Sequence, residues 1–262
     1  MSDDIGPLLE DWPYDPDDEI MVRRVPLPDG DSRVQIRLEL GMLEMHATGR
    51  PDGQRPGGFE SLLDFHLDRV RREIAEGGEQ HLELDHNECE DLRREAMQYY
   101  HRRTALMRIG DFSQAADDAE HNLAIMDLLK DRAGDREEWL ESEQYRPLVL
   151  SHLTRARTLK YLNDGDLASA TKALEEGLET IETLFREEYQ RPELSDQSEE
   201  LAALRELRRS LQERPYAQAG IRRESDRERL QRELAGAVAR EDYEAAAQLR
   251  DALAQLRRRP AV

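Results

Sequence analysis

The sequence predicts a mainly α-helical protein: an antiparallel helical array, preceded by a small β-hairpin section and ending in a short helical hairpin. Three observations carry this. From about Cys89 onward, apolar residues recur at spacings of three and four. Two Gly-Asp turns divide that helical run. The composition, 38% hydrophobic and 37% charged, suits exposed amphipathic helices better than a thick α/β core. The chain divides into 1–78, the β-hairpin plus a helix; 79–214, the array; and 215–262, a linker and the last hairpin.

In VQIRLEL, Val34, Ile36, Leu38 and Leu40 alternate with Gln35, Arg37 and Glu39, the period of a half-buried strand. EIMVRRVPL and the turn PDGD read as its hairpin partner and the connection. The stretch GRPDGQRPGG, residues 49–58, reads as a surface turn between strand and helix. A helix should follow, with Ser61 and Asp64 at capping-box spacing. Leu62, Leu63, Phe65, Val70 and Ile74 fill its apolar positions before Gly77-Gly78 ends it.

Two later passages share a design: HRRTALMRIGDFSQAADDAEHNLAIM and LTRARTLKYLNDGDLASATKALEEGLETI. Gly110 and Gly165 suit a left-handed helix stop, and Asp111 and Asp166 suit the cap of the returning helix. Ala115 and Ala170 keep one face thin, so the two helices can approach closely. The pattern resembles the tetratricopeptide (TPR) repeat. The glycines lie 55 residues apart, whereas that repeat has a period of about 34. An extra helix over 135–152 accounts for the surplus. TPR-like arrays present a concave surface to proteins or peptides. The polar stretch QRPELSDQSEE ends the array. A helix bearing Leu201, Leu204, Leu207 and Leu211 follows and must stop before Pro215.

In the last section Ser225 and Glu228 again have capping-box spacing, and Leu230, Leu234 and Val238 form one apolar stripe. Asp242 caps the return helix, on which Ala246, Leu249, Leu253 and Leu256 form a second stripe. Two such helices fall below the roughly 40 residues at which chains fold unaided, so their apolar surface must be covered by the chain's own body or by another molecule. Asp242, Tyr243, Glu244, Ala246, Ala247, Leu249, Arg250, Asp251, Leu253 and Leu256 fill, in spacing and type, the pattern of the UVR motif. This helical hairpin occurs in the excision-repair proteins UvrB and UvrC, in the unfoldase ClpC and in McsA. Val238 stands where that family often has Met.

The resemblance implies pairing of hairpin with hairpin and no catalysis. It covers about thirty residues, and the P-loop, helicase and nuclease sequences of the repair proteins are absent. VQIRLELGMLEMHATGRPDGQRPGG, YYHRR and YRPLVL resemble bacterial proteins that carry a UVR motif at their end, a likeness that brings no biochemical role. The expected partner-binding set is Leu230, Leu234, Val238, Tyr243, Ala246, Leu249, Leu253 and Leu256, with Arg250 and Asp251 setting register.

The formal charge is −20. From Gly220 to the end there are 10 Arg against 8 acids, so the remainder carries 28 basic and 50 acidic residues, or −22 (28 minus 50). Such a body repels nucleic acid, whose affinity for proteins comes mainly from basic groups that displace counterions. The tail can meet partners the body would repel, although a solvated Arg-rich surface is the plainer reading. No apolar run is long enough to span a membrane. The acidic start MSDDIGPLLEDW lacks a signal-peptide pattern, and the single Cys89 allows no intrachain disulfide. The expectation is a cytoplasmic protein.

Catalytic signals are weak. His81, His86 and Cys89 do not match zinc-ligand spacing, and Cys89 reads as a small buried residue. Arg50 and Arg55 lend the 49–58 loop some capacity for an anion, but it lacks P-loop and dinucleotide-binding spacing. The acidic pairs Asp117-Asp118 and Glu175-Glu176 read as solvated helix faces. No cofactor is expected. The sequence therefore points to a non-catalytic adaptor that docks a protein partner through its last hairpin. Self-association, an accessory role in excision repair through UvrC or UvrB, and an unrecognised enzyme are the alternatives.

Overall fold

Each junction between elements is set by one or two residues that do what a helix or strand interior cannot. The computed structural model of the chain describes residues 5–18, 20–77 and 82–213. The hairpin expected over 225–256, with its whole partner-binding set, lies outside the described residues, as does His81.

After α1 (Gly6–Glu10), a single turn with Pro7 near its start, comes an antiparallel sheet of β1 (Met21–Pro26), β2 (Ser32–Leu38) and β3 (Gly41–His46), in that order. PDGD makes the first turn as expected. Gly30 takes φ 88°, and Leu27 N–H donates to the Asp31 carbonyl at 2.8 Å. The expected hairpin is in fact a three-stranded meander. Its third strand, GMLEMH, has apolar residues at 42, 43 and 45, which breaks the period of two.

The inward row also stops early. Val34 is fully buried, but Leu38 is 50% and Leu40 91% exposed. Leu38 pairs with Gly41, so Glu39 and Leu40 form a two-residue turn beyond the sheet. The polar face is covered instead of solvated. Arg37 donates to the carbonyls of Trp12 and Gly41 at 2.8 Å each, and Arg23 lies 4.2 Å over the Trp12 ring.

Ser61 Oγ accepts from Asp64 N–H at 3.0 Å and starts α2 (Leu62–Ala75) where the sequence placed it. Leu63 is buried, with Leu62, Leu67 and Val70 packed around it, but Ile74 is 67% exposed and faces away from the core. Asp85 and Glu88 form a reciprocal capping box, so α3 (His86–Ile109) begins ahead of Cys89.

Both Gly-Asp turns behave as read. Gly110 and Gly165 take φ 81° and 83°, and Asp111 and Asp166 N–H reach back to Leu106 and Tyr161 carbonyls at 3.0 and 2.8 Å, the longer bond of a Schellman motif. The two aspartates cap α4 (Phe112–Arg132) and α7 (Leu167–Thr183). Ala115 and Ala170 are fully buried.

The segment read as one helix over 135–152 is divided into α5 (Arg136–Glu143) and the start of α6 (Arg146–Asn163). Pro147 is the reason: in a continuous helix its ring would strike the Glu143 carbonyl, whereas in a first turn it costs no hydrogen bond. A π-helical turn over Leu184–Glu188 precedes the expected polar break, which holds Gln190 at φ 53° and the short α8 (Leu194–Gln197). Beyond it α9 (Glu199–Glu213) buries Leu201 and Leu204.

Three apolar clusters hold these elements. Val34, Met45 and Ala47 of the sheet region pack with Leu106, Ala115, Ala119, Val149 and Ala156, so sheet, α3, α4 and α6 share one core. Leu63, Leu84, Cys89, Leu92, Ile125 and Leu129 join α2, α3 and α4. Leu174, Leu178, Ile181, Phe185, Leu201 and Leu204 join α7 to α9. No helix among the described residues is long and apolar enough to cross a membrane.

The α6–α7 crossing is close because α7 carries Gly177, where a Cβ would land on the Thr154 side chain. Alanine there gains about 1 kcal/mol of helix propensity but overpacks a tight contact, at a cost of about 1–3 kcal/mol. Gly177→Ala should therefore lower stability in urea unfolding, and adding Thr154→Ala should restore it. A stabilised single variant would show that the crossing is looser than described.

Candidate functional site

The groups with most chemical potential lie on one face of α3. Glu95, Tyr99, Arg102 and Leu106, spaced by four, three and four, are all buried against α4. Arg102 is 2% exposed. It donates to both Asp118 carboxylate oxygens, Nε at 2.9 Å and Nη2 at 2.7 Å, and its Nη1 donates to the carbonyls of His46 and Gly49 at 2.9 and 2.7 Å. One side chain thus joins α3, α4 and the end of the sheet. The Asp117-Asp118 pair, read as a solvated face, is corrected here. Asp117 is exposed, but Asp118 is 2% exposed and fully engaged. Burial pushes the Asp118 carboxyl above its ordinary range while Arg102 pulls it back.

Two turns earlier on α3, Glu95 is fully buried and serves three elements. It accepts from the Leu62 and Leu63 N–H groups at the start of α2, at 2.7 and 3.1 Å, and contacts His121 Nε2 of α4 at 3.0 Å. Arg50 Nε lies 3.3 Å away. Burial alone would raise this carboxyl, but the bonds from His121 and the two amides outweigh it and hold it below its ordinary value. Those amides also carry the positive end of the α2 dipole. Tyr99 stacks on His121 with ring centroids 3.7 Å apart, and the Arg102 guanidinium lies 4.8 Å over the Tyr99 ring. The seam is thus a set of mutual partners.

The sequence candidates disperse. Arg55 pairs with Glu60 on the surface and Arg50 faces Asp52 and Glu95, so both loop arginines already have acidic neighbours. The 49–58 turn is also less superficial than read: Pro51 is buried, and Gly49 is tied to Arg102. His86 is exposed and bonds Glu138 at 2.5 Å, which raises its pKa, whereas Cys89 is fully buried, with burial raising its thiol to about 11. Both feel Glu138, but only His86 reaches solvent. Among the described residues no group of three His, Cys, Asp or Glu side chains is placed to hold a metal ion. A shallow open groove of about 450 Å³ runs between α6 and α7, bounded by Glu176, Glu179, Glu188, Leu150 and Arg146. Glu175 and Glu176 are exposed, as read.

No family model, curated protein or solved structure matches this chain.

Two outcomes follow from the buried groups. Asp118→Ala leaves the Arg102 guanidinium buried beside two carbonyls alone, and should cost about 3–5 kcal/mol in denaturant unfolding. Arg102→Met with Asp118→Leu should recover only part of that, because the His46 and Gly49 carbonyls then lose their donor; a single-variant loss below about 1 kcal/mol would show the clamp to be dispensable. The second concerns acid. Burial lowers the pKa of His152 to about 4 and also lowers that of His66, from an ordinary 6.5. Between pH 6.5 and 4 the unfolded chain therefore binds protons that the folded chain refuses, so stability falls as pH drops through that window. At pH 5 His152 alone should contribute a loss on the order of 1–2 kcal/mol. Urea midpoints at pH 7 and 5 check this, and His152→Gln should flatten the difference.

Proposed function

We propose that this chain is a non-catalytic protein-binding adaptor of the cytoplasm, with a TPR-like helical array as scaffold and a UVR-type hairpin over 225–256 as the docking element. The observation that carries the reading is the sequence over 242–256, where every fixed position of the UVR pattern is filled. The geometry of the array supports it. Two hairpins with the same Gly-Asp turn and buried alanine stack through α4 and α6, and α9 covers the last of them. The buried carboxylates Glu95 and Asp118 are used between elements, as a scaffold uses them. The acidic α6–α7 groove suits a basic segment of a second protein.

Docking would bury Leu234, Tyr243, Ala246, Leu249 and Leu253, with Leu230, Val238 and Leu256 at the ends of the stripes and Arg250 and Asp251 fixing the pairing. At about 1.5–3 kcal/mol per large apolar side chain, less the cost of association, micromolar affinity is within reach. Replacing both Leu249 and Leu253 by Asp in the full chain should weaken partner capture by more than about tenfold. The far-UV circular dichroism of the array should stay unchanged. Capture that survives the double substitution places docking elsewhere. Recovery of UvrB or UvrC by the unaltered chain selects the repair branch, and recovery of a protease or kinase selects a proteostasis role.

A further inference from the structure

Arg102 and Arg103 are neighbours on α3 and both are fully or almost fully buried, at 2% and 0% exposure, yet their environments are opposite. Arg102 has four acceptor contacts. Arg103 has none: Nε, Nη1 and Nη2 are all shielded and meet no hydrogen-bond acceptor among the described residues. Asp118 is close enough to act on Arg103 through space, but Arg102 holds both of its oxygens. Burial lowers the Arg103 pKa only to about 10, so the group remains a cation at neutral pH. An uncompensated buried guanidinium is among the most unfavourable features a fold can carry, which makes its completion by an acceptor the expected state.

The surroundings indicate the acceptor. The Tyr100 ring lies 5.5 Å from the Arg103 guanidinium carbon and stacks on His152 of α6, with centroids 6.3 Å apart and planes within 12°. His152 Nδ1 is also buried with no partner among the described residues. Unlike Arg103, Tyr100 and His152 are only partly buried, so the two rings reach nearer to solvent than the guanidinium does. Burial, then Arg103 and the exposed Arg155, disfavour a proton on His152, and among the described residues Glu200 is the acid that opposes them. In a chain of net charge −20 this is a locally cationic point.

We infer that Arg103, behind Tyr100 and His152, is an oxyanion-binding site on the α3–α6 side of the array, taking a carboxylate or phosphate group between guanidinium and imidazole. A guanidinium offers two parallel N–H donors to such a group, and an imidazole nitrogen adds a third direction. Rotation of the Tyr100 or His152 side chain opens the way in. The chemistry is the same whether the oxyanion is a free ion or the acidic side chain or terminus of a bound peptide. The inference does not depend on the UVR-type hairpin.

The test uses the full chain at constant ionic strength, with chloride as the reference anion. Titration with inorganic phosphate, and separately with a short peptide ending in Asp-Glu, should give a saturable rise of a few degrees in the melting temperature. It should also give a saturable shift of one Arg Nε–H resonance in a ¹H–¹⁵N spectrum, assigned by its loss in Arg103→Lys. Arg103→Met should abolish both responses, and Tyr100→Ala should keep them. A response to phosphate alone identifies a free-ion site, and at least tenfold tighter binding of the peptide identifies a peptide-reading one. An unmoved Nε–H resonance, or a melting rise that persists in Arg103→Met, overturns the inference and leaves water as the partner of Arg103. If Arg103→Met does not fold, the resonance titration of the unaltered chain decides alone.

Discussion

Arg102 reaches from the middle of α3 to two places at once: the Asp118 carboxylate on α4, and the carbonyls of His46 and Gly49 where β3 runs into the loop. A leucine pair in the same space would pack α3 on α4 at least as well, because burying two charges costs nearly what their attraction returns. What a leucine cannot do is satisfy two backbone carbonyls that leave the sheet edge beneath a helix. The planar fork accepts a bidentate carboxylate in one orientation only, so the register of α3 on α4 and the height of the sheet on both are set together. Glu95 repeats the device two turns earlier. It closes the open N-terminus of α2 from the side, at the point where that helix must turn onto α3 and α4.

This division of labour explains which parts of the fold were legible in the sequence. Caps and stops are local: Ser61, Gly110, Asp111, Gly165 and Asp166 act within five residues of themselves, and each did what its type and spacing implied. The burial of Asp118 is not local. Its partner lies sixteen residues back, and the carbonyls that share that partner lie 53 and 56 residues before Arg102. Nothing in Asp117-Asp118 separates the solvated member from the buried one except helical phase relative to Ala115 and Ala119, both fully buried. That phase was readable, and combined with the YYHRR run it would have paired the right residues. The break before α6 was readable too, since Pro147 forbids the helix drawn through it. The third strand was not, because Met42, Leu43 and Met45 fit neither period. For the candidate docking residues the comparison does not arise, because 225–256 lie outside the described residues.

The charge distribution gives the architecture its direction. Most ion pairs of the array are exposed and join residues on the same or neighbouring helices, as Lys160 with Asp164 and Arg157 with Glu120 do. Such pairs add little stability each, but they leave acids in excess on the surface. At physiological salt that excess is felt over about 8 Å, so it shapes the approach of charged groups close to the surface rather than at a distance.

Against that background the two adjacent arginines of α3 solve different problems. A helix places neighbouring residues about 100° apart, so Arg102 and Arg103 point to different neighbours: α4 and the loop for the first, Tyr100 and His152 for the second. An acidic body can keep a cation inside only if something negative meets it, and on the Arg102 side Asp118 does. On the Arg103 side the nearest carboxylate is already engaged, and the remaining neighbours are an aromatic ring and an imidazole that burial keeps neutral. A ring face attracts a guanidinium weakly, by about 0.5–2 kcal/mol, well short of what its lost hydration requires. This interior point is therefore a cation enclosed in a body with an excess of acid. A small oxyanion that passes the two rings would meet a full positive charge that no acceptor among the described residues already holds.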